Sequence, residues 1–136
     1  MNNIDQARIE NFMTGQVAAW NRRDKAGFMA LYREMAPELL DIQYAGRPRQ
    51  DDGWRVIEEM WDKHNDQITL QVGMTIINGH EAAVQHGNLI NGTDQSIESI
   101  ETYRFEPGRL YVCYFLKPPA GETVDTSQFR GFADAP

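Results

Sequence analysis

The chain has 136 residues, enough for one domain around a single core and too few for two. With 13 basic against 20 acidic side chains the net charge is −7, so there is no surplus of cations to displace counterions from a phosphate backbone, and nucleic acid is not an expected partner. No apolar run approaches the roughly 20 residues that span a bilayer, the start lacks a secretory pattern, and the single cysteine allows neither an internal disulfide nor a thiolate cluster; no membrane partner and a cytoplasmic location are the expectations.

Residues 5–21 place Ile9, Phe12, Met13, Val17 and Trp20 at spacings of three and four, the period of an amphipathic helix. Asn21 to Asp24 interrupts it, and Asp24 is suited to N-cap a second helix carrying Phe28, Leu31, Tyr32 and Met35, which Pro37 closes. A short strand, Leu39 to Tyr44, follows. Its apolar face of Leu40, Ile42 and Tyr44 points Tyr44 inward and Asp41 outward. "AGRPRQDDG" reads as a loop, after which Asp51 or Asp52 caps a third helix carrying Val56, Ile57, Met60 and Trp61.

From residue 67 the period changes to two. "ITLQVGMTII" alternates Leu70, Val72, Met74 and Ile76 against polar residues, and Asn78-Gly79 signals a type I′ hairpin turn into the return strand "EAAVQHGNLI". Asn91-Gly92 and Pro107-Gly108 mark two more turns, around "QSIESIETYRF" and "RLYVCYF". Three helices followed by a four-stranded meander predict an α+β domain with the helices gathered on one side of a curved, mainly antiparallel sheet. That domain spans residues 1–116, and residues 117–136 form an aperiodic C-terminal tail in which Phe129 and Phe132 are the only large apolar residues.

Two strand residues stand out. Glu101 shares a strand face with Tyr103 and Phe105, so either the carboxylate is buried by design or the register is not as it reads. Ala82, Val84, His86 and Asn88 share another face that begins apolar and ends polar, as in a strand running from a core into a pocket. If the strands pair in sequence order, His86 and Glu101 can meet across neighbouring strands, where a carboxylate that orients an imidazole makes a general acid–base pair. The alternative is a satisfied strand histidine, with Glu101 paired to Arg104, Arg109 or water.

The other titratable residues carry less. His80 follows a turn and is expected in solvent, and His64 ends the third helix, where a cation suits the helix dipole. The three histidines have no metal-ligand spacing, so no metal is expected. Cys113 reads as a packed small hydrophobe.

The stretches "AAWNRRDKAGFMALY" at 18–32, "GWRVIEEMW" at 53–61 and "ETYRFEPGRL" at 101–110 resemble the nuclear transport factor 2-like superfamily, close to SnoaL-like polyketide cyclases and ketosteroid isomerases. The resemblance implies a cone-shaped α+β barrel enclosing a pocket for one small, mostly apolar ligand, and a homodimer built on the outer sheet face. It places Glu101 where ketosteroid isomerases hold a protonated aspartic acid, with Gln16 in place of their helix-one tyrosine. His86 and Glu101 are then the catalytic candidates, and Gln16, Trp20, Tyr44, Met60, Asn88 and Tyr103 the substrate-binding ones. The isomerase base falls at Asp41 or Tyr44, and the inward face of Tyr44 removes it, so ketosteroid isomerisation itself is not expected. An epoxide hydrolase would show an Arg-x-Asp pair where this chain has His86-x-Asn88. The implied activity is a cofactor-independent isomerisation, cyclisation, dehydration or other lyase reaction. The alternative is a non-catalytic ligand-binding or dimerisation module of the same fold.

Overall fold

A computed structural model describes residues 4–117; the tail beyond, with Phe129 and Phe132, lies outside the described residues. Helix α1 (Gln6–Asn21) is N-capped by Asp5, α2 (Lys25–Met35) by Asp24 and α3 (Gly53–His64) by Asp52, each aspartate accepting from a first-turn backbone N–H left free by the helix. Gly53 opens α3 because a Cβ there would lie 2.1 Å from the Leu40 carbonyl oxygen, so only glycine allows α3 this close to the first strand. Arg23, at φ 63°, reverses the chain between α1 and α2, and its guanidinium donates to the carbonyls of Asn65 and Ile68.

Strands β1 (Leu39–Tyr44), β2 (Ile68–Asn78), β3 (Glu81–Ile90), β4 (Ser96–Glu106) and β5 (Arg109–Lys117) form one sheet in the order β1-β5-β4-β3-β2. The last four make the antiparallel meander, and β1 joins its edge parallel to β5. The sheet is mixed and curved, and the helices cover its inner face. Along β4, Ile97, Ser99, Glu101, Tyr103 and Phe105 are buried while their neighbours are exposed or half-buried. Glu101 therefore faces the core in the register its apolar neighbours dictate.

Strand β2 departs from simple alternation. Val72 pairs with His86 but Thr75 with Val84, so Gly73 and Met74 oppose the single residue Gln85 in a β-bulge. The bulge shifts which residues face inward. Leu70 and Val72 share the inner face with Thr75 and Ile77, whereas Met74 and Ile76 turn outward and are 67% and 57% exposed. The hairpin turn also sits one residue later than its Asn-Gly signal predicts. Asn78 pairs with Glu81, and the positive φ falls on Gly79 alone, with exposed His80 completing the loop.

The core beneath the sheet is aromatic. Trp20, Phe28 and Trp61 pack with ring centroids 4.9–5.7 Å apart, and Phe12 sits edge-on to Tyr32, Tyr103 and Phe105. Such pairs add to simple area burial and fill the interior of the cone. On the outer face, Met74, Ile76, Ile100 and Phe115 remain exposed.

Candidate active site

His86 on β3 and Glu101 on β4 point into the core from one register step apart, since Val84 pairs with Glu101 and His86 with Ser99. This diagonal brings His86 Nδ1 to 3.1 Å from Glu101 Oε2, with both side chains almost wholly buried. The other carboxylate oxygen, Oε1, accepts from the Tyr103 hydroxyl at 2.5 Å. Gln16 Nε2 donates to that hydroxyl oxygen at 3.0 Å, and Gln16 Oε1 accepts from Tyr32 at 2.6 Å. A continuous chain of hydrogen bonds thus runs from α2 through α1 and β4 to β3. Arg104 and Arg109 take no part; they pair with Glu106 and Glu38.

The electrostatics follow from this geometry. Burial is the largest influence on His86 and by itself lowers the imidazole pKa, but the charge of Glu101 and its hydrogen bond together outweigh it and hold the pKa above the ordinary value. Burial, then the Glu101 charge, pushes the phenols of Tyr32 and Tyr103 far up, so both stay protonated and serve as donors. With Nδ1 committed to Glu101, the second imidazole nitrogen, Nε2, is buried and has no hydrogen-bond partner among the described residues. A neutral imidazole protonated at Nδ1 carries its lone pair there.

Two spaces adjoin His86. Inside, Gln16, Trp20, Met60 and Asn88 line a cavity of only about 20 Å³ together with His86 and Glu101, room for a water molecule or so. The expected ligand-sized cone is thus largely filled, because Phe28, Leu70 and Tyr114 close it with the other core aromatics. Outside, a groove of about 420 Å³ runs between α1 and the β2–β3 hairpin, with Met13 and Val17 on one wall, Val72, Ile77 and Val84 on the other, and His86 between them. The groove was not legible in the sequence, because the bulge at Gly73 and Met74 decides which β2 residues face it.

The remaining predicted residues fall as follows. Tyr103 does not line the cavity; it stands behind Glu101 as a donor. Tyr44 faces inward, yet it too is outside the cavity lining, packed on Tyr114 with ring centroids 5.3 Å apart and its hydroxyl unpartnered. Asp41 faces away and pairs with Arg49 at 3.0 Å. Both amide hydrogens of Asn88 are spent, on the Ile97 carbonyl and the Ser99 hydroxyl, so its oxygen is what it offers a ligand. Gln16 is held by two tyrosines rather than being a free oxyanion donor. Tyr32 carries no sequence signal for its place, since only the α1–α2 packing brings it to Gln16. His64 is fully buried, not a solvated cation at a helix end: burial first, then Lys63, pushes its pKa down to about 4. No group of three or more potential metal ligands occurs among the described residues, and none of their helices is long and apolar enough to cross a membrane.

No family model matches the chain, and no curated protein is a significant match. Solved structures do match. A protein of unknown function with a cystatin-like fold from Methylobium petroleophilum PM1 is 17% identical with a TM-score of 0.69, covering 96% of this chain and 94% of its own. An NTF-2 like protein of unknown function from Burkholderia xenovorans LB400 is 12% identical with a TM-score of 0.66, covering 93% of this chain and 96% of its own. A candidate isomerase of the SnoaL-like family from Agrobacterium tumefaciens strain C58 is 16% identical with a TM-score of 0.63, covering 83% of this chain and 100% of its own. At these identities the likeness is one of fold. The chain has the nuclear transport factor 2-like fold, with SnoaL-like proteins among its structural neighbours.

Proposed function

We propose that the chain is an acid–base enzyme that moves a proton on, or eliminates from, an apolar cyclic or aromatic small molecule, with His86 as the proton carrier and Glu101 as its orienting partner. The observation that carries this reading is the 3.1 Å contact between His86 Nδ1 and Glu101 Oε2 beside an unpartnered Nε2. Such a carboxylate holds the tautomer in which Nε2 is the base, and it stabilises the imidazolium that forms when Nε2 takes a proton. Returning that proton to another atom of the same molecule is isomerisation; giving it to a departing hydroxyl group is dehydration. The groove of about 420 Å³ is of the size that holds a small ligand. Nε2 has no contact with solvent, so the reading requires groove side chains beside His86 to move as the ligand enters. The polar side chains that line the groove beside His86, those of Glu10, Asn11, Thr14 and Thr75, are the groups placed to orient it.

The outer sheet face supports a homodimer as the working unit. Met74, Ile76, Ile100 and Phe115 lie exposed there on three strands, and large exposed apolar side chains gathered on one face mark an interaction surface.

A non-catalytic binding or dimerisation module is the second reading. It is favoured by the small inner cavity and by the full occupation of both Glu101 oxygens. Proton exchange separates the two. In deuterated buffer, followed by proton NMR, the full chain should accelerate α-proton exchange of cyclic and aryl ketones such as tetralone and cyclohexenone. His86→Ala should lower that rate by about 10²–10⁴-fold in protein that circular dichroism shows to be still folded. Exchange no faster than in buffer across the panel, or equally fast in His86→Ala, would overturn the enzymatic reading.

A further inference from the structure

The groove beside His86 is polar at its far end, and the polarity has one sign. Glu10 and Asn11 on α1 line it together with the apolar residues of both walls. Glu10 is exposed, and its carboxylate makes no ion pair or side-chain hydrogen bond among the described residues. On the same helix, Thr14 turns its hydroxyl back to the Glu10 carbonyl at 2.9 Å.

Helix α1 is anchored so that this end is distant from His86. Trp20 donates to the Ile68 carbonyl at 3.0 Å, and Asn21 exchanges two hydrogen bonds with Leu70, fixing the end of α1 to the start of β2. Phe12 packs on Tyr103 and Phe105, and Tyr103 pairs with Ala82, which in turn pairs with Ile77. The start of α1 therefore lies toward the β2–β3 hairpin tip, and Val17 toward the pair formed by Val72 and His86. At a rise of 1.5 Å per residue, Val17 and Glu10 stand about 10 Å apart along the helix.

We infer that the groove selects a ligand about 10 Å long whose apolar ring body lies between Val17 and Val84 and whose far end carries a cationic amine that meets Glu10 and Asn11. This rests on the reading of the groove as the ligand site. A carboxylate with no cationic partner on its own wall accepts an ammonium group and repels an anion of the same shape. The net charge of −7 adds a diffuse preference in the same direction, which the test must separate.

Three matched compounds make the test: naphthylethylamine, naphthylpropionate and the uncharged ethylnaphthalene, titrated into the full chain by calorimetry at moderate salt. The amine should bind more tightly than the carboxylate. Glu10→Gln should reduce that preference by about two- to five-fold, the effect of one exposed charge pair, and leave ethylnaphthalene unchanged. Asp94→Asn, the same charge change on a distant exposed turn, should leave the preference intact. Equal binding of amine and carboxylate, or a preference that survives Glu10→Gln, would overturn the inference. In that case loss of all binding in Val17→Trp, which fills the groove, would still support the groove as the ligand site. If none of the three binds the wild-type chain, or if binding persists in Val17→Trp, the inference and the reading beneath it both fall.

Discussion

The hydroxyl of Tyr103 donates to one oxygen of Glu101 at 2.5 Å while the His86 imidazole holds the other at 3.1 Å. The carboxylate is thus clamped from both sides within a core from which water is nearly excluded. A clamp of this kind orients its imidazole more firmly than a carboxylate free to rotate, and it makes the two neighbours differ in what they contribute.

Glu101→Gln removes the charge that raises the His86 pKa and leaves the burial that lowers it. A reaction that needs neutral His86 loses rate as pH falls through the imidazole pKa. That limb lies above the ordinary 6.5 in the wild type and should move below it in Glu101→Gln. A pH–rate profile of ketone proton exchange for the two proteins checks this.

Tyr103→Phe leaves Glu101 Oε1 without its donor and Gln16 Nε2 without its acceptor. Unsatisfied buried polar groups cost about 1–3 kcal/mol, so the unfolding free energy from urea titration should fall by that amount, as a lower midpoint at unchanged slope. Tyr32→Phe, which takes the donor from the Gln16 amide oxygen but leaves Glu101 Oε1 its own, should cost less than Tyr103→Phe in the same titration.

The two buried histidines shape stability against pH with opposite signs. His64 has its folded pKa pushed down to about 4, so its neutral form is fully favourable above the unfolded value near 6.5. That contribution is lost as pH falls from about 6.5 to 4, since the unfolded chain binds the proton first. His86 has a raised folded pKa; its contribution is complete below about 6.5 and is lost as pH rises through the folded value. His64→Gln should therefore flatten the loss of stability between pH 6.5 and 4, by about 1–3 kcal/mol over that range, and leave the alkaline side unchanged. Urea melts at several pH values measure both limbs.

Ile100 pairs with Phe115 across the outer face, and both side chains are about half exposed. If this face joins two copies, Ile100→Asp should convert a dimer to a monomer in sedimentation velocity, because an unpaired charge cannot be desolvated there. The inner-face hydrogen bonds around Glu101 lie on the opposite side of the sheet and should be unaffected.

Much of this was legible in the sequence because the relevant signals are local. The period-two pattern around Glu101 needs only its apolar neighbours to place the carboxylate inside, and Asp24 announces its helix by position, as the pair Asp51 and Asp52, of which Asp52 is the cap, does the third. The proximity of His86 and Glu101 followed from strand order. The signals failed where the outcome depended on distant packing. Gly73 gives no period that reveals a bulge, yet the bulge turns Met74 and Ile76 outward and helps make the groove. Trp20 reads as a ligand contact, whereas its ring distances to Phe28 and Trp61 show that it also fills the core. Tyr103 and Gln16 were placed toward a ligand by resemblance, whereas their hydrogen bonds turn them toward each other and Glu101.

The most direct test of the His86–Glu101 pair is the nitrogen-15 NMR titration of His86 in the full chain, which reports which ring nitrogen carries the proton and at what pH the second one binds. The neutral form should be protonated at Nδ1 and titrate above 6.5. A neutral form protonated at Nε2, or an imidazole that titrates below 6.5 with Glu101 intact, would contradict it.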